Sequence, residues 1–169
     1  DRRKYVSYRI LKDFRERFIQ PFVHLEIDLH ILVGNHDIYF RNTNDINSLE
    51  ELLGNKHKNI HLYSEAQEVN FGGFPILMMP WINPQNEIYS FGMMDETKAD
   101  TMMSHLEVVG FEMHGGHTSE SGFDKEQFKK FHTIFSGHYH KKSDDGQIYY
   151  LGTPYQMTWS DYNCPKGFH

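Results

Sequence analysis

Leu29-His30-Ile31-Leu32-Val33-Gly34-Asn35-His36-Asp37 is the stretch on which the fold turns. The apolar run from Leu29 to Val33 has the length of a buried strand, and Gly34 stops it. Beyond the glycine come an amide, an imidazole and a carboxylate: Asn35, His36 and Asp37. Ligand sites in α/β sheets gather in the loops outside the carboxyl ends of strands, so this loop is a candidate site. Two further strings repeat the arrangement. Ser104-His105 follows Met102-Met103, and Gly137-His138-Tyr139-His140 follows Ile134-Phe135. A glycine ahead of the ligand is expected to let the backbone turn sharply and point side chains at a shared centre.

Imidazole nitrogen and amide oxygen suit borderline divalent ions such as Mn, Fe, Co or Zn. His138 and His140, two apart in one loop, can serve two neighbouring ions. A pair of ions roughly 3.5–4 Å apart is the usual device for hydrolysing phosphate esters. Alone, each string has a plainer reading: a hydrogen-bonded turn for Asn35 to Asp37 and a structural or exposed histidine for His105, while the His138–His140 pair is somewhat more telling. All three in this order point to a metal site. No Asp or Glu within them is placed to bridge two ions.

Working outward, apolar positions Val6, Ile10, Leu11, Phe14 and Phe18 make one helical face over 5–20, and Pro21 marks its end. A second helix is expected over 48–53, with Ser48 as N-cap and Gly54 as stop. Short strands follow at 60–63, 68–71 and 74–79, with Gly72-Gly73 as a tight turn. Helices are expected over 86–97 and 124–132, and strands over 101–104, 133–136 and 148–151. There is no repeat and no linker, so 1–169 reads as a single α/β domain with a mixed sheet arrangement.

Composition bounds the function. Of 169 residues, 38% are apolar and 24% charged, ordinary for a soluble globular chain. The net charge of −6 argues against a broad basic surface for nucleic acid. It fits a site that relies on metal ions to neutralise phosphate. The aromatic share, 15%, indicates a well-filled core or stacking surfaces, and 12 histidines are the main oddity. No apolar run approaches the roughly 18 residues of a membrane span, and no signal-peptide pattern opens the chain. Cys164 stands alone, so an internal disulfide is excluded and a reducing cytoplasm is the default compartment. The chain opens at Asp1-Arg2-Arg3 without an initiator Met and reads as an internal stretch of a longer protein.

The Gly34-Asn35-His36-Asp37, His105 and Gly137-His138-Tyr139-His140 strings resemble the later motifs of the calcineurin-like metallophosphoesterase superfamily. The likeness covers nearly the whole chain. It is greatest to the SbcD-type DNA exonuclease subunit, particularly versions carried by tailed bacteriophages. Asp1-Arg2-Arg3, the run from His105 to Glu112, and Tyr150-Leu151-Gly152-Thr153-Pro154-Tyr155-Gln156 with Lys166-Gly167-Phe168 carry this narrower match. The resemblance implies a β-sandwich of two mixed sheets flanked by helices in α-β-β-α layers. It also implies a pair of divalent ions, Mn first among Mg, Fe, Co or Zn.

Carried over by position, it makes Asn35, His105 and His138 ligands of one ion and His140 a ligand of the other. His36 would lie over the phosphate as general acid or charge stabiliser. Asp37 and Asp1 are candidates for orienting imidazoles, and Asp37 reads equally well as a turn or cap residue. The implied activity is exonuclease and endonuclease hydrolysis of DNA in repair and recombination. The implied partners are DNA, an SbcC-type coiled-coil ABC ATPase and a second copy, with the host cytoplasm as location and no membrane.

The superfamily's first ligand motifs and bridging aspartate lie upstream of Asp1, and its capping segments lie beyond His169. The chain as given is therefore expected to bind metal weakly and to cut little DNA. The rival readings are another phosphoesterase, acting on phosphoproteins, nucleotides or phospholipids, and a non-catalytic scaffold for DNA or the ATPase. His24, His30, His57, His61 and His132 lack motif context and are expected to be structural. His114 and His117 beside Gly115-Gly116 are expected in a plain flexible loop, with approach to substrate as the alternative; Lys141 and Lys142 are expected to be solvated, with a phosphate-backbone contact as the alternative; Trp81 is expected in the core.

Overall fold

The computed structural model describes residues 4–54, 56–114 and 116–169. The chain opens with α1 (Tyr8–Phe14), a π-helical turn (Arg15–Ile19) and α2 (Gln20–His24), which run on as one helix. Pro21 does not end it. It sits in the first turn of α2, after a π turn in which the Gln20 N–H reaches back to Arg15 O. A proline in a first turn loses no helical hydrogen bond, so the helix continues past it. The extra residue of the wide turn also shifts the buried stripe. It runs through Leu11 and Ile19, while Val6, Ile10 and Phe18 are exposed.

Strand β1 (Leu29–Leu32) pairs in parallel with β2 (Ile60–Tyr63). Between them α3 (Ser48–Leu52) is capped by Asn47, whose Oδ1 accepts from Glu50 N–H at 2.9 Å. Ser48, the expected cap, instead donates to Asp37 Oδ1 at 3.2 Å. The main sheet has six strands in the order β3 (Gln67–Phe71), β4 (Phe74–Met79), β5 (Thr101–Ser104), β8 (Thr133–Ser136), β10 (Ile148–Tyr150) and β9 (Ser143–Asp144). It is mixed: β4, β5, β8 and β10 run parallel, with β3 and β9 antiparallel at its edges. The hairpin β6 (Glu112–His114) with β7 (His117–Thr118) and the edge strand β9 are too short to have left a pattern in the sequence. The class is α/β with a mixed sheet, as expected. Its mixed character belongs to the six-stranded sheet; the remaining strands form two small sheets, the parallel pair β1–β2 and the hairpin β6–β7.

The parallel strands share one buried row. Leu77, Met102, Ile134 and Ile148 are in register across β4, β5, β8 and β10, and each is fully buried. Two residues on, the same face carries Met79, Ser104, Ser136 and Tyr150, where the two serines leave room for the Tyr150 ring. Burial of each large apolar side chain is worth roughly 1.5–3 kcal/mol, which locks the register. Phe128 and Phe131 close over this core. They lie on and beyond a single 3₁₀ turn (Lys125–Phe128), and not on the helix expected over 124–132. The helix stops because the His132 N–H is drawn to Asp100 O at 2.7 Å, at the lead-in to β5.

Helix α4 (Glu87–Glu96) ends on a cation. The Lys130 ammonium donates to Met94 O (2.6 Å), Asp95 O (2.8 Å) and Thr97 O (2.6 Å). A positive charge there satisfies terminal carbonyls and complements the helix dipole. Lys130→Met is expected to lower the unfolding free energy by about 1–3 kcal/mol in urea titrations, and an unchanged midpoint would show the cap to be ornamental.

The last carbonyls of the strands then stitch the following loops together. Val33 O accepts from Trp81 N (2.8 Å), Met79 O from His105 N (3.1 Å), Ser104 O from Gly137 N (2.9 Å) and Ser136 O from Leu151 N (3.0 Å). All three ligand-bearing strings are thereby brought to one end of the sheet.

Candidate metal centre

His105 is the middle of the site. Its imidazole is wedged between two glycines: a Cβ on Gly34 would lie 2.8 Å from the ring, and one on Gly137 would lie 2.9 Å from it. Neither glycine adopts a left-handed backbone. The expected reason for these glycines, a sharp turn, is thus replaced by another, the close approach of a ring. The loop after His105 is tied down by core hydroxyls. Tyr150 OH accepts from Val108 N–H (3.0 Å) and donates to Leu106 O (3.1 Å), Tyr139 OH donates to Val108 O (3.0 Å), and Ser136 Oγ accepts from Leu106 N–H (3.0 Å).

Across the cleft the His105 Nε2 lies 3.0 Å from Asn35 Oδ1. The Asn35 loop is held from behind by Asp37, whose Oδ2 accepts from Gly34 N–H at 2.8 Å and whose Oδ1 accepts from Ser48. Its hydrogen bonds go to the loop, matching the turn role weighed for it. Burial pushes the Asp37 carboxyl up, partly offset by those bonds. Behind the loop lie buried asparagines. Asn44 donates to Ser64 O and Trp81 O (both 2.9 Å), Asn83 donates to Asn44 Oδ1 (2.9 Å), and Asn86 donates to Trp81 O (3.1 Å). Because every amide is paired, the network fixes the loop carrying Asn35 against the loop carrying Trp81. His36 is exposed at the lip of the cleft. Asp1 lies outside the described residues.

In Gly137-His138-Tyr139-His140 the tyrosine is the anchor. Tyr139 is buried, and the flanking histidines both face the cleft. His138 takes φ +90°, a left-handed backbone that a side-chain-bearing residue adopts at a cost of order 1–3 kcal/mol. Its ring packs on Trp81 (centroids 5.3 Å apart) and edge-on to His105 (5.5 Å). Trp81, outside the buried core, therefore backs the two imidazoles and does not fill the core. His140 Nδ1 lies 3.2 Å from Asp161 Oδ2. Asp161 and Trp81 are the residues that motif reading misses. The signal for Asp161 is the Thr158-x-x-Asp161 spacing of a capping box, which the structure contains.

The cleft encloses about 620 Å³ and is lined by Asn35, His36, Asp37, His105, His138 and His140, with Met157 and Thr158 at one wall. Among the described residues, His24, His30, His57, His61 and His132 are absent from its lining. Lys141 pairs with Glu112 at 2.5 Å. Burial, helped by His138 and His36, pushes the His105 imidazole down to about 3. Burial also lowers His138. Both rings are thus neutral near pH 7 and have lone pairs to offer.

The donors suit a transition-metal ion. Bonds from metal to nitrogen or oxygen run about 2.0–2.2 Å, so adjacent ligands on one ion sit about 3 Å apart, the separation of Asn35 Oδ1 and His105 Nε2. The set is an amide and imidazoles. Among the described residues, no three His, Cys, Asp or Glu side chains surround one point closely enough to bind an ion by themselves.

Fold and cleft together define an α/β domain with imidazole and amide donors converging at the carboxyl ends of parallel strands. No protein-family profile matches the chain. Its sequence is similar to "Exonuclease subunit 1" of Enterobacteria phage T4, 31% identical over 168 residues, 99% of this chain and 49% of that protein. The chain spans about half the length of this curated relative. No helix among the described residues is long and apolar enough to cross a membrane.

Two outcomes follow from the wedge. Gly137→Ala is expected to push the His105 ring off Asn35 and cost about 1–3 kcal/mol, read by urea unfolding and by the His105 ring resonances. Retention of both would mean that the ring has room. The second concerns acid. The His105 pKa is about 3 when folded against 6.5 ordinarily, so the unfolded chain takes up its proton first as pH falls. Stability from this group is complete above pH 6.5 and drains away between about 6.5 and 3, by up to about 1.4 kcal/mol per pH unit. In metal-free protein, His105→Asn is expected to flatten that part of the stability–pH curve.

Proposed function

We propose that this chain is the strand-end catalytic region of a metal-dependent phosphodiesterase acting on DNA, within an exonuclease subunit. The observation that carries the reading is the meeting of Asn35, His105 and His138 from three separate loops, with the Asn35–His105 contact at 3.0 Å. The likeness to a phage exonuclease subunit supports DNA as substrate over phosphoproteins or nucleotides.

Asn35, His105 and His138 would hold one divalent ion and His140 would serve a second, Mn being the first choice for this donor set. Such a pair supplies a hydroxide nucleophile at neutral pH and charge to clamp phosphoryl oxygens. Each residue of the chain then has its own task. His105 and His138 enter neutral, so ligation needs no proton release from them. Trp81 packs on the His138 ring and lies edge-on to His105, and would hold both rings in place. His36, at the lip, would protonate the departing oxygen or stabilise its charge. Asp37 holds Gly34 and so sets where Asn35 points.

The word "subunit" in the relative's name favours work within a complex. An SbcC-type coiled-coil ATPase and a second copy are the partners proposed, with the host cytoplasm as the place of action.

The test is hydrolysis of linear duplex DNA and of bis(p-nitrophenyl) phosphate by the protein as its gene encodes it, with Mn and after chelation. His36→Ala is expected to lower turnover about 10²–10⁴-fold with Mn stoichiometry unchanged. Asn35→Ala is expected to lose Mn affinity. Faster turnover of p-nitrophenyl phosphate than of either diester would transfer the reading to a phosphomonoesterase. Mn binding or cleavage that survives loss of Asn35 and His105 together would sink it.

A further inference from the structure

We infer that Asp161, locked in place by Lys166, is the positioning residue for His140: it holds the imidazole with its proton on Nδ1 and turns Nε2 into the cleft. As far as metal is concerned this rests on the reading of His140 as a ligand; the tautomer assignment stands without it.

The geometry leaves little freedom. Asp161 Oδ2 receives the Met157 N–H (3.0 Å), the Thr158 N–H (2.9 Å) and the Thr158 hydroxyl (3.1 Å), and lies 3.2 Å from His140 Nδ1. Its Oδ1 receives the Lys166 ammonium at 3.0 Å. Asp161 and Lys166 are 2% and 8% exposed, so this is a buried ion pair and not a surface contact. An ionised carboxylate can only accept hydrogen bonds. Whatever His140 contributes to that oxygen must be a donor, so a neutral imidazole carries its proton on Nδ1 and leaves the Nε2 lone pair free.

Lys166 also donates to His140 O at 2.6 Å, so backbone and ring of the same residue are gripped by one pair of side chains. Burial works to raise the Asp161 carboxyl, but Lys166 and the Thr158 and Met157 donors outweigh it and hold the group well below the usual carboxylate range. A buried pair like this is weak as a source of net stability. Set against an imidazole, it does what a carboxylate behind a metal-binding histidine does, fixing ring orientation and raising ligand basicity. A merely structural role, closing the Trp159–Asp161 turn, would use the two backbone donors and require nothing of the ring.

The decisive readout is ¹⁵N NMR of the imidazole in metal-free protein at a pH above the ordinary histidine range. The wild type is expected to show His140 with its proton on Nδ1, whereas an unconstrained histidine prefers Nε2. Asp161→Asn is expected to mix or invert the tautomer and weaken Mn binding, measured calorimetrically, about 10–100-fold. Asp161→Glu should restore part of both. A wild-type His140 protonated on Nε2 overturns the inference, with no variant needed. So does an Asp161→Asn protein that folds and keeps both tautomer and Mn affinity. An Nδ1 proton in a protein that binds no Mn would uphold the positioning and overturn the metal reading instead.

Discussion

The closeness of the His105 ring to two glycine backbones is the constraint on which the site depends. The ring occupies space that a Cβ at Gly34 or Gly137 would fill. The three loops can therefore approach only if those two residues have no side chain and the ring sits at one depth. That depth is set from below. Tyr150 and Tyr139 clamp the Leu106–Val108 backbone by hydroxyls buried under the sheet. The same Tyr150 stands in the row that locks the register of the four parallel strands. Core packing and site geometry are thus linked through single side chains, and an error of register in β8 or β10 would reach the imidazole directly.

The surroundings of the site divide the work. Uncharged, fully paired groups build its walls: the asparagine network fixes the Asn35 and Trp81 loops without adding charge near neutral imidazoles. Charge is placed where it can orient a ligand from behind, in the Asp161–Lys166 pair under His140. The backbone strain at His138 falls on a residue that touches both Trp81 and His105. Strain of this kind persists only where the surroundings over-determine it, and here a tryptophan ring, a buried tyrosine and a strand end all do.

Much of this was legible from local pattern. The apolar runs ending at Gly34, Ser104 and Gly137 marked strand ends, and the polar residues just past them marked the cleft, because strand period and strand length are short-range properties of a chain. Pattern failed where a long-range contact overrode a local rule. Pro21 did not end a helix that a π turn had reset, and the helix expected over 124–132 gave way to a hydrogen bond from His132 to Asp100.

By itself the sequence determined the α/β class, the order along the chain of the strands it could read, and six of the side chains that line the cleft. What only the tertiary structure decided was why the glycines are there, that Trp81 packs behind the imidazoles, and that Asp161 stands behind His140. Those facts are contacts between residues remote in the chain, such as Asn35 and His105, which are 70 positions apart. No local spacing encodes such a contact. It exists because parallel strands bring their carboxyl ends side by side, and because the close-packed space between those ends admits a ring in only one place.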